Sequence, residues 1–239
     1  MSLPLLVAIV TVAAFAQGLT GFGFGLVAMA LLPWFMDFKD AVALVAVLNL
    51  LVCIATFLTT RRHLVWRRVA PLAAASFLGV PFGVWALVRW DARWLLAVLG
   101  AWMIAFAISE LLLARWWRPR FPEWSGWPVG LVSGALGGAF NAGGPPVIAY
   151  VYSQPWSKEE TVAALQVIFG ASAVMRVALM GGTGLVPSDL MTVCAVSALP
   201  VLGGIALGAR LLRRVPQAAL KVVAAAFFLV MGAKYLLAP

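Results

Sequence analysis

Residues 41–60, 69–88 and 190–209 each run for 20 positions without a charged side chain. About 20 apolar residues in a row are what an α-helix needs to cross the hydrocarbon core of a bilayer. Three further segments come close. Residues 94–114 carry one charge, Glu110, and residues 161–180 carry one, Arg176. Residues 216–237 carry Lys221 and Lys234 near their ends, where long stems can reach the interface. Six full spans are therefore predicted. Only 10% of the 239 residues are charged and 64% are hydrophobic, against about 25% charged in soluble domains. Too few polar side chains remain to cover a water-soluble fold. A soluble enzyme, a nucleic-acid-binding module and a disordered tail are excluded. The net charge of +9 is read as arginine excess in cytoplasmic loops, not as a nucleic-acid footprint. Residues 1–4 hold no basic cluster and the apolar run beyond them is too long for a signal peptide, so no cleavable leader is expected.

Two longer uncharged stretches remain, residues 1–36 and 124–157. Each is too long for one span and too short for two. Small residues interrupt both. The first break reads Gln17-Gly18-Leu19-Thr20-Gly21-Phe22-Gly23-Phe24-Gly25. The second runs from Ser133 through Gly134, Gly137, Gly138, Asn141, Gly143 and Gly144 to Pro145-Pro146. Glycine runs loosen a helix and prolines remove its donors. Unwound backbone at membrane depth survives only where protein or a wet cavity satisfies it. Each stretch is predicted to form two short helices that dip in and return.

The chain repeats itself. Gly18-x-x-Gly21 aligns with Gly134-x-x-Gly137, Lys39-Asp40 with Lys158-Glu159, and Gly79-x-x-x-Gly83 with Gly204-x-x-x-Gly208. Counting spans places Arg61, Arg62, Arg67, Arg68, Arg115, Arg118, Arg120, Lys158, Arg210, Arg213 and Arg214 on one side. Lys39, Arg89, Arg93 and Lys234 fall on the other. Basic loops mark the cytoplasm, so both termini are expected outside. This count requires the second broken stretch to return to its own side, which inverts the two halves. Inverted halves with discontinuous helices are a frequent build of secondary transporters. The predicted fold is an all-α polytopic membrane protein: an N-terminal half over residues 1–114, a cytoplasmic linker over 115–125 and an inverted C-terminal half over 126–239. Each half is a glycine-broken hairpin plus three full transmembrane helices. Trp66, Trp90, Trp94, Trp116, Trp117, Trp124, Trp127 and Trp156 fall near the predicted interfaces.

The breaks are where chemistry is expected. A helix that starts inside the membrane presents unpaired N–H groups and about half a positive elementary charge. Two such starts facing each other form an anion site, and glycines admit the ligand close to the backbone. The candidate substrate-binding residues are Gln17, Gly18, Thr20, Gly21, Gly23, Gly25, Ser133, Gly137, Gly138, Asn141, Gly143 and Gly144. Asn141 and Gln17 are expected to orient the ligand, and bulk added at Gly143 is expected to face the cavity. Arg176 either snorkels to the outer surface or closes the anion site. Asn49, Gln166 and Ser172 either line the cavity or bond a neighbouring helix. Gly79, Gly83, Gly204 and Gly208 read as helix-packing positions.

Gln-Gly-Leu-Thr-Gly-Phe-Gly-Phe-Gly at 17–25, with the apolar run to Leu32-Pro33, resembles the first glycine signature of the sulfite exporter TauE/SafE family. Gly-Ala-Leu-Gly-Gly-Ala-Phe-Asn-Ala-Gly-Gly-Pro-Pro at 134–146 resembles its second copy. The resemblance covers essentially the whole chain. It implies a bacterial inner-membrane transporter of sulfite, thiosulfate, sulfoacetate or similar small anions, working by alternating access between the broken hairpins. An anion channel with a glycine-lined pore and a non-transporting assembly factor are the alternatives. No cofactor, metal site or catalytic nucleophile–base set is legible; Cys53 and Cys194 fit no ligand or redox spacing. The expected partners are the small anion and the lipid bilayer, with no nucleic acid; a homodimer is left open.

Overall fold

A computed structural model describes residues 3–113, 121–182, 188–211 and 217–237. Arg115, Arg118, Arg120, Arg213, Arg214, Trp116 and Trp117 lie outside the described residues, as do the side chains of Lys158 and Lys221. The described residues are helical, with no strand among them. In the N-terminal half the helices are α1 (Leu3–Thr20), α2 (Phe24–Leu31), α3 (Phe38–Thr60), α4 (Trp66–Arg89) and α5 (Ala92–Ile108). In the C-terminal half they are α6 (Gly126–Phe140), α7 (Gly144–Ser153), α8 (Lys158–Gly182), α9 (Ser188–Leu211) and α10 (Gln217–Leu237). The chain is an all-α polytopic membrane protein. Among the described residues, six helical segments are long and apolar enough to cross a bilayer: Leu3–Thr20, Phe38–His63, Trp66–Arg89, Ala92–Leu111, Glu159–Gly182 and Leu190–Leu211.

One detail differs from the sequence expectation. The first hairpin is asymmetric. Its leading arm α1 runs 18 residues, enough by itself to span, and its returning arm α2 only 8. At the other end of the chain, the expected last span is the 21-residue helix α10. The asymmetry of the first hairpin has a packing cause. Gly18 does not break α1, because it lies against α9: a Cβ there would meet Ile205 O at 2.3 Å and the Gly208 Cα at 3.0 Å. Close backbone contact holds the helix straight through a residue that alone would weaken it.

The helix partners are reciprocal between the halves. The leading arm α1 packs on α9, and the leading arm α6 packs on α4. Likewise α3 packs on α8 and α5 on α10. Gly79 and Gly83 meet α6 at Gly134 and Gly138, as Gly204 and Gly208 meet α1 at Phe15 and Gly18. At one end of the molecule Lys39 Nζ donates to Val88 O at 3.3 Å, and Lys234 lies over the Trp34 ring. Elsewhere, Arg68 pairs with Glu160 at 3.4 Å. That ion pair brings the starts of α4 and α8 together. Trp66, Trp94 and Trp124 are exposed.

These glycine contacts make a stability prediction. A Cβ at Gly83 would sit 2.0 Å from Ala135 O and 2.6 Å from Ala139 N, both backbone atoms. Gly83→Ala forces α4 and α6 apart and is expected to cost about 1–3 kcal/mol. Gly203→Ala meets nothing within 4 Å and is the control. The melting temperature of the purified protein should fall for the first and hold for the second. Equal melting would show that α4 and α6 do not pack through these glycines.

Candidate functional site

The chain turns at residues 21–23 and 141–143. Gly21 and Gly23 have φ of +82° and +105°, which need glycine. Asn141 takes the left-handed position at the end of α6, φ 56°, which asparagine tolerates better than most residues. Protein groups satisfy the unwound backbone. The Phe24 N–H donates to Gln17 Oε1 at 2.9 Å, so Gln17 caps α2 across the break. Trp102 Nε1 donates to Ala142 O at 3.0 Å, and Ser133 Oγ to Gly143 O at 2.5 Å. Asn141 Nδ2 donates to Val42 O at 3.0 Å.

The two breaks touch. A Cβ on Gly25 would meet Asn141 O at 2.2 Å. Beside this contact lies a cavity of about 50 Å³. Of the sequence candidates, Gln17, Gly23, Gly25, Ser133, Gly137, Asn141, Gly143, Gly144 and Arg176 line it. Four do not. Gly18 packs on α9 and Gly138 on α4, where a Cβ would lie 2.4 Å from Val80 O. Thr20 Oγ1 donates to Ala16 O at 2.9 Å. Gly21 provides the chain reversal, and its carbonyl accepts from Gln166 Nε2 at 3.4 Å. That bond makes Gln166 a tie between α8 and the first break. Asn49 and Ser172, in contrast, line the cavity.

Sequence reasoning missed the aromatic wall. Phe22, Phe24, Phe106 and Phe169 line the cavity with Leu26, Ala142 and Pro145. A signal existed for part of it. Phe169, Ser172 and Arg176 follow one another at spacings of three and four, which puts them on one face of α8.

The helices α2 and α7 both begin at this cavity, and each start contributes about half a positive charge. Their donors differ. The first turn of α2 offers the N–H groups of Gly25 and Leu26 beyond the capped Phe24. In α7 the first turn holds Pro145 and Pro146, which have no N–H, leaving Gly144. Arg176 supplies the full charge. It is 2% exposed and points inward, which settles snorkelling against it. Its Nη1 donates to Gly137 O, while its Nε is buried with no partner. Among the described residues it has no carboxylate within ion-pair distance. An uncompensated buried guanidinium is costly, and an anion in the cavity would offset that cost.

The glycine geometry corrects one expectation. A Cβ at Gly143 would lie 2.2 Å from Ser133 O, so bulk there meets backbone and not open space. The open position is Gly137, whose nearest Cβ neighbours are Arg176 Nη1 at 3.7 Å and the Gly143 Cα at 3.9 Å.

Residues 6–235 match the family described as Sulfite exporter TauE/SafE. The chain belongs to the TauE/SafE family. It is thus a membrane transporter and not an enzyme. Two curated relatives agree. This TauE/SafE chain is 27% identical over 206 residues to the "Probable sulfite/organosulfonate exporter TauE" of Cupriavidus necator, covering 83% of this chain and 80% of the relative. It is 25% identical over 172 residues to the "Probable inner membrane transporter protein TsaS" of Comamonas testosteroni, covering 72% of each. No solved structure matches the TauE/SafE chain.

Proposed function

We propose that this TauE/SafE protein carries a small sulfur oxyanion or organosulfonate across the bacterial inner membrane by alternating access, with the anion bound between the two broken hairpins. The observation that carries this reading is Arg176: a buried guanidinium with an unpartnered Nε, in the same cavity as the starts of α2 and α7. One full and two partial positive charges face a space that no acidic residue lines among the described residues. A water needs about 10–15 Å³ of such space, so about 50 Å³ has room for an anion of sulfite size. The names of both relatives support the transporter reading, and one supports the sulfur chemistry.

The alternating-access part rests on symmetry. Residues 1–114 and 126–239 are proposed as inverted halves joined by residues 115–125. The reciprocal packing of α1 on α9 and α6 on α4 supports a two-fold axis, and one lying in the membrane plane would place the breaks at its midplane. Such halves can exchange inward- and outward-open arrangements around a fixed site.

The test is a flux screen in proteoliposomes over sulfite, thiosulfate, short sulfonates and short carboxylates. Saturable uptake, accelerated by the same anion on the far side, is expected for at least one sulfur anion. Flux that rises linearly with concentration would make the protein a channel. Topology has its own check. A cysteine at Arg62 should resist an impermeant reagent applied outside intact cells, and a cysteine at Asp91 should react. The reverse pattern would overturn the orientation with both termini outside.

A further inference from the structure

Asn141 holds a second unmet demand in the same cavity. It is 9% exposed, and its amide orientation is fixed because Nδ2 donates to Val42 O, a carbonyl that can only accept. The other end of the amide, Oδ1, is buried with no partner. The neighbouring acceptor is already committed: Gln17 Oε1 takes the Phe24 N–H. The Asn141 backbone N–H and Arg176 Nη1 both end on the Gly137 carbonyl, so the orphan acceptor and the orphan guanidinium nitrogen belong to residues anchored on one oxygen.

A cavity with an unpaired cation and an unpaired acceptor asks for more than a negative charge. An oxyanion made only of acceptors would satisfy Arg176 and leave Asn141 Oδ1 facing lone pairs. A ligand with an N–H or O–H beside its charged group satisfies both. We infer that the substrate is a small oxyanion bearing a hydrogen-bond donor next to its anionic centre, received by Asn141 Oδ1. The inference rests on the anion-site reading and narrows the class of anion the site selects. A site with a buried acceptor disfavours an analogue that lacks the matching donor, because the acceptor is then left dry and unpaired.

Sulfamate and methanesulfonate test this directly. They share one charge and nearly one shape, and differ in an amino group against a methyl. Binding to the purified full-length protein would be measured by titration calorimetry. Sulfamate is expected to bind roughly tenfold or more tightly. Asn141→Gly removes Oδ1 while allowing the left-handed backbone that alanine would strain, and it should bring the ratio of affinities close to one. Equal affinities in the native protein, or a ratio that survives Asn141→Gly, would overturn the donor requirement and leave the anion site standing. Failure of both anions to bind would overturn the anion site and this inference together.

Discussion

Arg176→Gln is expected to abolish transport and leave the protein as stable as before, or more stable. The two effects have one cause. The Arg176 guanidinium is 2% exposed, bonded through Nη1 to the Gly137 carbonyl and unpartnered at Nε. Replacing an unbalanced buried charge with a shorter, neutral amide removes a desolvation cost, and replacing buried charges by neutral groups is often neutral or stabilising. Glutamine is too short to reach the Gly137 carbonyl, but that oxygen keeps the Asn141 backbone N–H as a donor. A neutral amide cannot balance a buried anion. Leaving one partner of a buried charge pair unmatched costs about 3–5 kcal/mol, a loss of roughly two to four orders of magnitude in affinity. Sulfite uptake into proteoliposomes and thermal melting without anion give the two readings. Added substrate should raise the melting temperature of the native protein by mass action and leave that of the variant unchanged. Near-native uptake by Arg176→Gln would place the anion elsewhere.

Gly137→Ala should separate transport from folding in a second way. Position 137 lies within α6, where alanine favours helix by roughly 0.5–1 kcal/mol over glycine. Its Cβ would make only ordinary contacts, the nearest at 3.7 Å to Arg176 Nη1. Folding should hold or improve. The methyl group nevertheless enters a cavity of about 50 Å³ beside the guanidinium, and uptake should fall at least about tenfold, the scale of one extra or missing methylene in a binding pocket. Gly143→Ala is the contrast. Its Cβ would collide with Ser133 O at 2.2 Å, so both melting temperature and uptake should fall. If Gly137→Ala transports at the native rate, the substrate does not use the space between the breaks.

The span pattern was open to reading because a bilayer imposes a length and forbids charge; 20 uncharged residues have few other uses. Both breaks were also visible, since Gly21, Gly23 and the Asn141–Gly144 turn are residues that tolerate left-handed or unwound backbone. The end point of each helix was harder. Gly18 and Gly138 look like breakers in the sequence, yet they are packing surfaces, because the helices they meet are distant in the chain. Local propensity cannot report which glycine has a backbone across from it. Phe106 escaped notice for the same reason: it lies on α5 and reaches the site only through tertiary packing. Arg176 was recognised as unusual by its place in an apolar run. Its direction depends on which face of α8 meets the breaks, and the spacing of Phe169, Ser172 and Arg176 carried that information.

The central claim is that an anion sits between the two broken hairpins against Arg176. Selenite is a heavier analogue of sulfite, and its anomalous scattering marks its position in a crystal of the full chain. The expected result is a single strong peak in this cavity, placed so that the selenite oxygens reach hydrogen-bond distance of the Arg176 guanidinium and of the N–H groups that open α2 and α7. A peak elsewhere in the protein, with this cavity empty at saturating selenite, would contradict the account.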